Sequence, residues 1–145
     1  MSKVENFLSV EDEQEIVEAI RRAEKETSGE IRVHIERKST GDSFERAKEV
    51  FHMLKMDATE LKNGVLIYLA VDDRAFVICG DKGIDDVVSD DFWDSTKDVM
   101  AAQFRNGNFK QGLIDGIKRA GEQLQKHFPC ADDDRDELAN EISNG

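Results

Sequence analysis

Prolines, cysteines and long apolar runs are all scarce in this chain, and its bases are outnumbered by its acids. Of its 145 residues, 20 are Lys or Arg against 32 Asp or Glu, a formal net charge of -12. Nucleic-acid readers present a basic patch to the phosphates, so this balance argues against that class and toward cations, basic protein partners or simple solubility. The longest wholly apolar run, Val65 to Val71, is far shorter than the ~20 residues a membrane-spanning helix needs. Met1 to Leu8 has no basic stretch followed by an apolar one, so no secretory leader is expected. The two cysteines, Cys79 and Cys130, form no CxxC and no framework spacing. Reduced thiols in a cytoplasmic protein are the expectation, with a Cys79–Cys130 disulfide as the alternative. His34, His52 and His127 lie far apart, none with a second His or Cys at ligand spacing, which leaves a soft-metal site unsupported. No GxSxG, Walker A or GxGxxG string occurs.

What is there reads as one α/β domain. Ser9 followed by Glu11, Asp12 and Glu13 starts a helix, with a capping hydroxyl and acids at the positive end of the dipole. Ile16, Ala19, Ile20 and Ala23 give it one apolar face, and Gly29 reads as its stop. Ile31, Val33 and Ile35 alternate with Arg32, His34 and Glu36, which predicts a strand with one buried face and His34 on its surface. Asp42 and Glu45 open a second helix bearing Phe44, Ala47, Val50, Phe51 and Leu54 on one face. Val65 to Val71 has the pattern of a strand covered on both faces. Asp72-Asp73 then turns the chain into Ala75–Cys79, a hairpin with a loop slightly longer than two residues. Two more helices follow, one carrying Phe92, Thr96, Val99, Met100 and Gln103 behind a Ser89 or Asp90 cap. The other carries Phe109, Leu113, Ile117, Ala120 and Leu124 and ends at the only proline, Pro129. Gly112 and Gly116 lower helix propensity in that last helix, which points to close packing.

Strand-helix-strand predicts parallel strands joined by a crossover, and the hairpin adds a third strand antiparallel. The expected architecture is a three-layer α/β/α sandwich with a small mixed β-sheet flanked by helices. It occupies residues 1–130. Residues 131–145 hold six acids and one base, with only Leu138 and Ile142 fit to be buried, and read as an acidic, mostly flexible tail.

The negative charge is concentrated. Eight aspartates and two bases lie between Asp72 and Asp94. Asp is a turn former and also a short, hard oxygen ligand. Topology divides the acids between two sheet edges. One edge gathers the first strand's exit (Thr40, Gly41, Asp42) with Asp72 and Asp73, and Asp42 already serves as a helix cap. The other gathers Asp81, Asp85 and Asp86 in a turn between Gly80 and Gly83, with Asn63 and Glu30 as neighbours. That second set can offer carboxylates and bare carbonyls to Ca²⁺ or Mg²⁺, although it lacks a twelve-residue EF-hand loop. Cys79 reads as a small core residue, and Trp93 as an aromatic anchor of its helix.

Several strings carry a family resemblance. They are Thr27-Ser28-Gly29-Glu30-Ile31-Arg32-Val33, Asn63-Gly64-Val65-Leu66-Ile67-Tyr68, Arg74-Ala75-Phe76-Val77-Ile78 and Gly80-Asp81-Lys82-Gly83-Ile84, with Phe104, Phe109 and Gly112 near the end. In order and spacing they resemble the TPM domain family over about residues 7–129. The resemblance implies a mixed sheet between helices. The family includes a thylakoid-lumen member described as an acid phosphatase and calcium binder, and membrane-tethered relatives. The expected function is a regulatory or interaction module that binds divalent cations through its Asp-rich edge, with a metal-assisted acid phosphatase as the alternative. No nucleophile, basic phosphate cradle or histidine pair is recognisable for the second.

Overall fold

The computed structural model describes residues 8–39, 41–129 and 142–144. Ser9 caps helix α1 (Val10–Glu24) by accepting from the Asp12 amide at 3.0 Å. α1 ends well before Gly29, so the glycine does not stop it. Strand β1 (Glu30–Glu36) leads to helix α2 (Ser43–Met53), which Asp42 caps through the Glu45 amide. A single 3₁₀ turn at Met56–Ala58 precedes strand β2 (Gly64–Ala70), and a four-residue loop joins it to strand β3 (Ala75–Gly80). A short helix α3 (Lys82–Asp85) follows, then α4 (Phe92–Arg105) and α5 (Phe109–His127). The helix cap expected at Ser89 or Asp90 falls at Asp91, whose side chain makes no capping bond.

β1 and β2 are parallel, and β2 and β3 antiparallel, as the pattern requires. A fourth strand, β4 (Ile142–Asn144), pairs parallel with β1 at its other edge, giving the order β3-β2-β1-β4. These three residues depart from the tail reading. The remaining tail residues, and Cys130 of the alternative disulfide, lie outside the described residues.

Successive strand residues point to opposite faces, and the two faces build two cores. Ile31, Val33, Ile35, Val65, Ile67 and Leu69 join Ile16 and Ile20 of α1, Met100 of α4 and Leu113, Ile117 and Leu124 of α5 in the larger core. Leu66, Tyr68 and Ala70 join Ala47 and Val50 of α2 and Met56 in the smaller one. Fully burying each aliphatic side chain contributes about 1.5–3 kcal/mol, so the alternation in β2 fixes the register of both layers at once. Among the described residues no helix is long and apolar enough to cross a membrane.

β1 corrects the expectation of one buried face. All seven of its residues are buried, and His34 is only 3% exposed. Its polar side carries a hydrogen-bonded cluster. Glu36 accepts from Arg46 Nε and Nη2, each at 2.9 Å, from the Tyr68 hydroxyl, and pairs with His34 Nε2 at 3.2 Å. Tyr68 stands opposite His34 in the parallel register, and the two rings stack with centroids 6.0 Å apart. Buried polar groups are tolerated when they are paired, and α2 delivers the cation that does the pairing.

Candidate functional site

The two sheet edges separate as topology demands. At the hairpin edge all three aspartates are engaged by the fold itself. Asp42 caps α2, Asp72 accepts from Arg37 Nε at 2.8 Å, and Asp73 Oδ2 accepts from the Ser39 amide and hydroxyl, both at 2.8 Å. Those two Ser39 bonds hold the Asp73 carboxyl below the usual carboxylate range. They tie the β2–β3 loop to the exit of β1, which gives this edge a structural task.

At the opposite edge the starts of β1 and β2 meet the end of β3. The Glu30 amide donates to the Asn63 carbonyl at 3.4 Å, and the Asp81 amide to the Gly64 carbonyl at 2.9 Å. Glu30 and Asn63 are each 1% exposed, and Asn63 Nδ2 donates to Ser28 Oγ at 3.3 Å. The sequence-derived set is therefore gathered in part: Glu30, Asn63 and Asp81 share one edge through backbone bonds. Asp85 is exposed and turned to Trp93, whose indole N–H donates to Oδ1 at 2.8 Å, and Asp86 is exposed. Among the described residues no three His, Cys, Asp or Glu side chains converge as a ready-made metal group.

Two features of this edge were not legible in the sequence. The first is the carboxylate of Asp81. Its Oδ1 accepts from the Lys82 amide at 2.8 Å and starts α3, while Oδ2 is buried without a hydrogen-bond partner among the described residues. A buried charged oxygen left unpaired costs 1–3 kcal/mol or more. The second is the contact at Gly83. A Cβ there would lie 2.1 Å from the Leu61 carbonyl oxygen and 2.6 Å from that of Lys62. Only glycine lets the 80–86 turn press its backbone against two carbonyls, and the Ile84 amide donates to the Lys62 carbonyl at 3.3 Å beside them. The edge thus combines carboxylate, amide and carbonyl oxygens, the donor types of a hard cation site.

Cys79 packs at the margin of the smaller core, where burial, and then the charge of Asp81, push its thiol up to about 12. A thiol held that far from its thiolate is no nucleophile at neutral pH.

Residues 1–123 match the TPM domain family. The structure resembles, at TM-score 0.90 and 64% identity over 100% of both chains, the BA42 protein from the psychrophilic bacterium Bizionia argentinensis, solved by NMR. The N-terminal domain of a protein from P. gingivalis is similar at TM-score 0.67 and 22% identity, covering 86% of this chain and 83% of that one. The N-terminal domain of cg2496 from Corynebacterium glutamicum shares the fold at TM-score 0.58 and 15% identity, over 81% and 74% of the respective chains. The comparison with curated proteins finds no match. With its family match over most of the chain and a full-length relative of the same fold, this chain belongs to the TPM domain family.

Proposed function

We propose that this protein is a regulatory module that binds a divalent cation, Ca²⁺ or Mg²⁺, at the edge formed by Glu30, Asn63 and the 80–86 turn. The buried, unpartnered Oδ2 of Asp81 carries the reading. A hard cation neutralises such an oxygen and draws further ligands from carbonyls, an Asn amide oxygen and nearby carboxylates. Asp81 and Glu30 are the proposed anionic ligands, Asn63 the neutral one, and Asp85 and Asp86 join by turning inward from the surface. Such a site is assembled from oxygens on two loops, so cation binding clamps those loops together. Charge complementarity also suits a basic protein partner on the same edge.

Amide NMR titration with Ca²⁺ and with Mg²⁺ tests this. Saturable shifts centred on residues 59–64 and 80–86 are expected, with Asp81→Asn abolishing them. Shifts confined to residues 131–141, or none that saturate, would remove the site.

A further inference from the structure

At the other end of the sheet from Asp81, a cavity of about 440 Å³ opens between the β2–β3 hairpin and the α4–α5 junction. Its floor and walls are Leu69, Val71, Phe76, Phe104 and Phe109, and Arg74 and Arg105 complete the lining. The aromatic walls are ordered against one another. Phe76 meets Phe104 edge-on at 4.8 Å, and Phe104 stacks on Phe109 at 5.6 Å. Gly112, in the last helix, makes room for this: a Cβ there would lie 2.4 Å from Phe104 Cε1. The volume lies within the 300–1,000 Å³ typical of small-molecule sites, and apolar walls with a few polar groups are their usual composition.

The charges at the cavity run against the rest of the molecule. The chain has a net charge of -12, yet no acidic residue lines this cavity. Arg21, Arg22, Arg37, Arg46 and Arg119 all have side-chain partners. Arg74 and Arg105 are exposed, and neither side chain has an ion pair or a hydrogen bond among the described residues. Arg74 also occupies a left-handed backbone position, φ 51°, at the end of the hairpin loop. Glycine or Asn is favoured at such a position, and an arginine is disfavoured there.

We infer that this cavity binds a small organic carboxylate whose aromatic or aliphatic body stacks among Phe76, Phe104 and Phe109 while its carboxylate is held by Arg74 and Arg105. Guanidinium groups take carboxylates through paired, parallel N–H···O bonds, and the aromatic walls supply the apolar contact that a free inorganic anion cannot use. A neutral analogue of the same shape fills the walls but leaves both guanidinium groups unanswered.

The test is an amide NMR titration of the ¹⁵N-labelled full chain with 4-phenylbutyrate and with octanoate, in EDTA so that the cation edge takes no part. 4-Phenylbutanamide serves as the uncharged control. Saturable shifts are expected at residues 69–76 and 104–112, with the amide binding roughly tenfold or more weakly than the acid. Arg74→Gly is a variant that relieves the left-handed backbone, so it should melt no lower than the parent while weakening the acid roughly fivefold to tenfold. Arg105→Gln, at an exposed position, should do the same. Equal affinity for acid and amide, unchanged affinity in both variants, or no saturable shift up to about 10 mM acid would each overturn the inference.

Discussion

Glu36 shows how a strand residue becomes an electrostatic anchor. Burial works against its charged form, but the hydrogen bonds from Arg46, Tyr68 and His34 outweigh it and bring the carboxyl from 4.5 down to about 2. His34 is lowered from 6.5, chiefly by burial, which the hydrogen bond to Glu36 only partly offsets. Both folded-state values lie below the unfolded ones, so both contributions are complete at neutral pH and are lost as pH falls. The His34 contribution fades from about pH 6.5 downward. The Glu36 contribution fades between about 4.5 and 2. A shift of that size on Glu36 corresponds to roughly 3 kcal/mol. Urea midpoints measured across pH should therefore decline gently below 6.5 and steeply below 4.5. Glu36→Gln should flatten the steep limb and lower stability at pH 7 by about 3–5 kcal/mol, since it leaves Arg46 without its carboxylate. An unchanged acid limb in that variant would show that other carboxylates set it.

Among the elements, the helices and the hairpin were the most legible from sequence. The Ser9 and Asp42 caps, the all-apolar run of β2 and the apolar spacing of α5 are local signals, and each formed the element it announced. β1 was legible as a strand but not in its burial. Arg32, His34 and Glu36 alternate like a solvent face, and the groups that permit the burial of Glu36 (Arg46 and Tyr68) stand on other elements, while the buried Arg32 Nε has no hydrogen-bond partner among the described residues. β4 gave no signal because a three-residue strand inside an acidic segment has no period to read. At the candidate site, the grouping of Glu30, Asn63 and Asp81 followed from topology alone. The orientation of Asp85 toward Trp93 did not, because it depends on where α4 packs. The turn at Gly83 offers a sharp test of this element-scale packing. Gly83→Ala puts a methyl into two carbonyl oxygens, and the loops must separate to admit it. Thermal or urea unfolding should show a loss of at least about 2 kcal/mol. Gly107→Ala, at φ 79° with open space around it, should cost only about 1 kcal/mol through its backbone. Equal losses would mean that the carbonyl contact is not a constraint.

Across the whole molecule, two chemically opposite ends are mounted on one sheet. The end at Asp81 gathers carboxylate, amide and carbonyl oxygens, and the end at Arg74 gathers guanidinium groups and aromatic rings. The central claim is that Asp81 Oδ2 is buried unpaired because a divalent cation completes it. The most direct measurement is the thermal stability of the parent and of Asp81→Asn, each in EDTA and in excess Ca²⁺. Asn caps a helix about as well as Asp, so the substitution removes the buried charge and keeps the bond to the Lys82 amide. In EDTA the variant should be as stable as the parent or slightly more so. In Ca²⁺ at about 100 times the dissociation constant the parent should gain about 2.7 kcal/mol, while the variant gains little and the order of stability reverses. If Ca²⁺ leaves the parent's midpoint unmoved, or if Asp81→Asn is destabilised equally in both buffers, the oxygen is a structural group and the cation reading is contradicted.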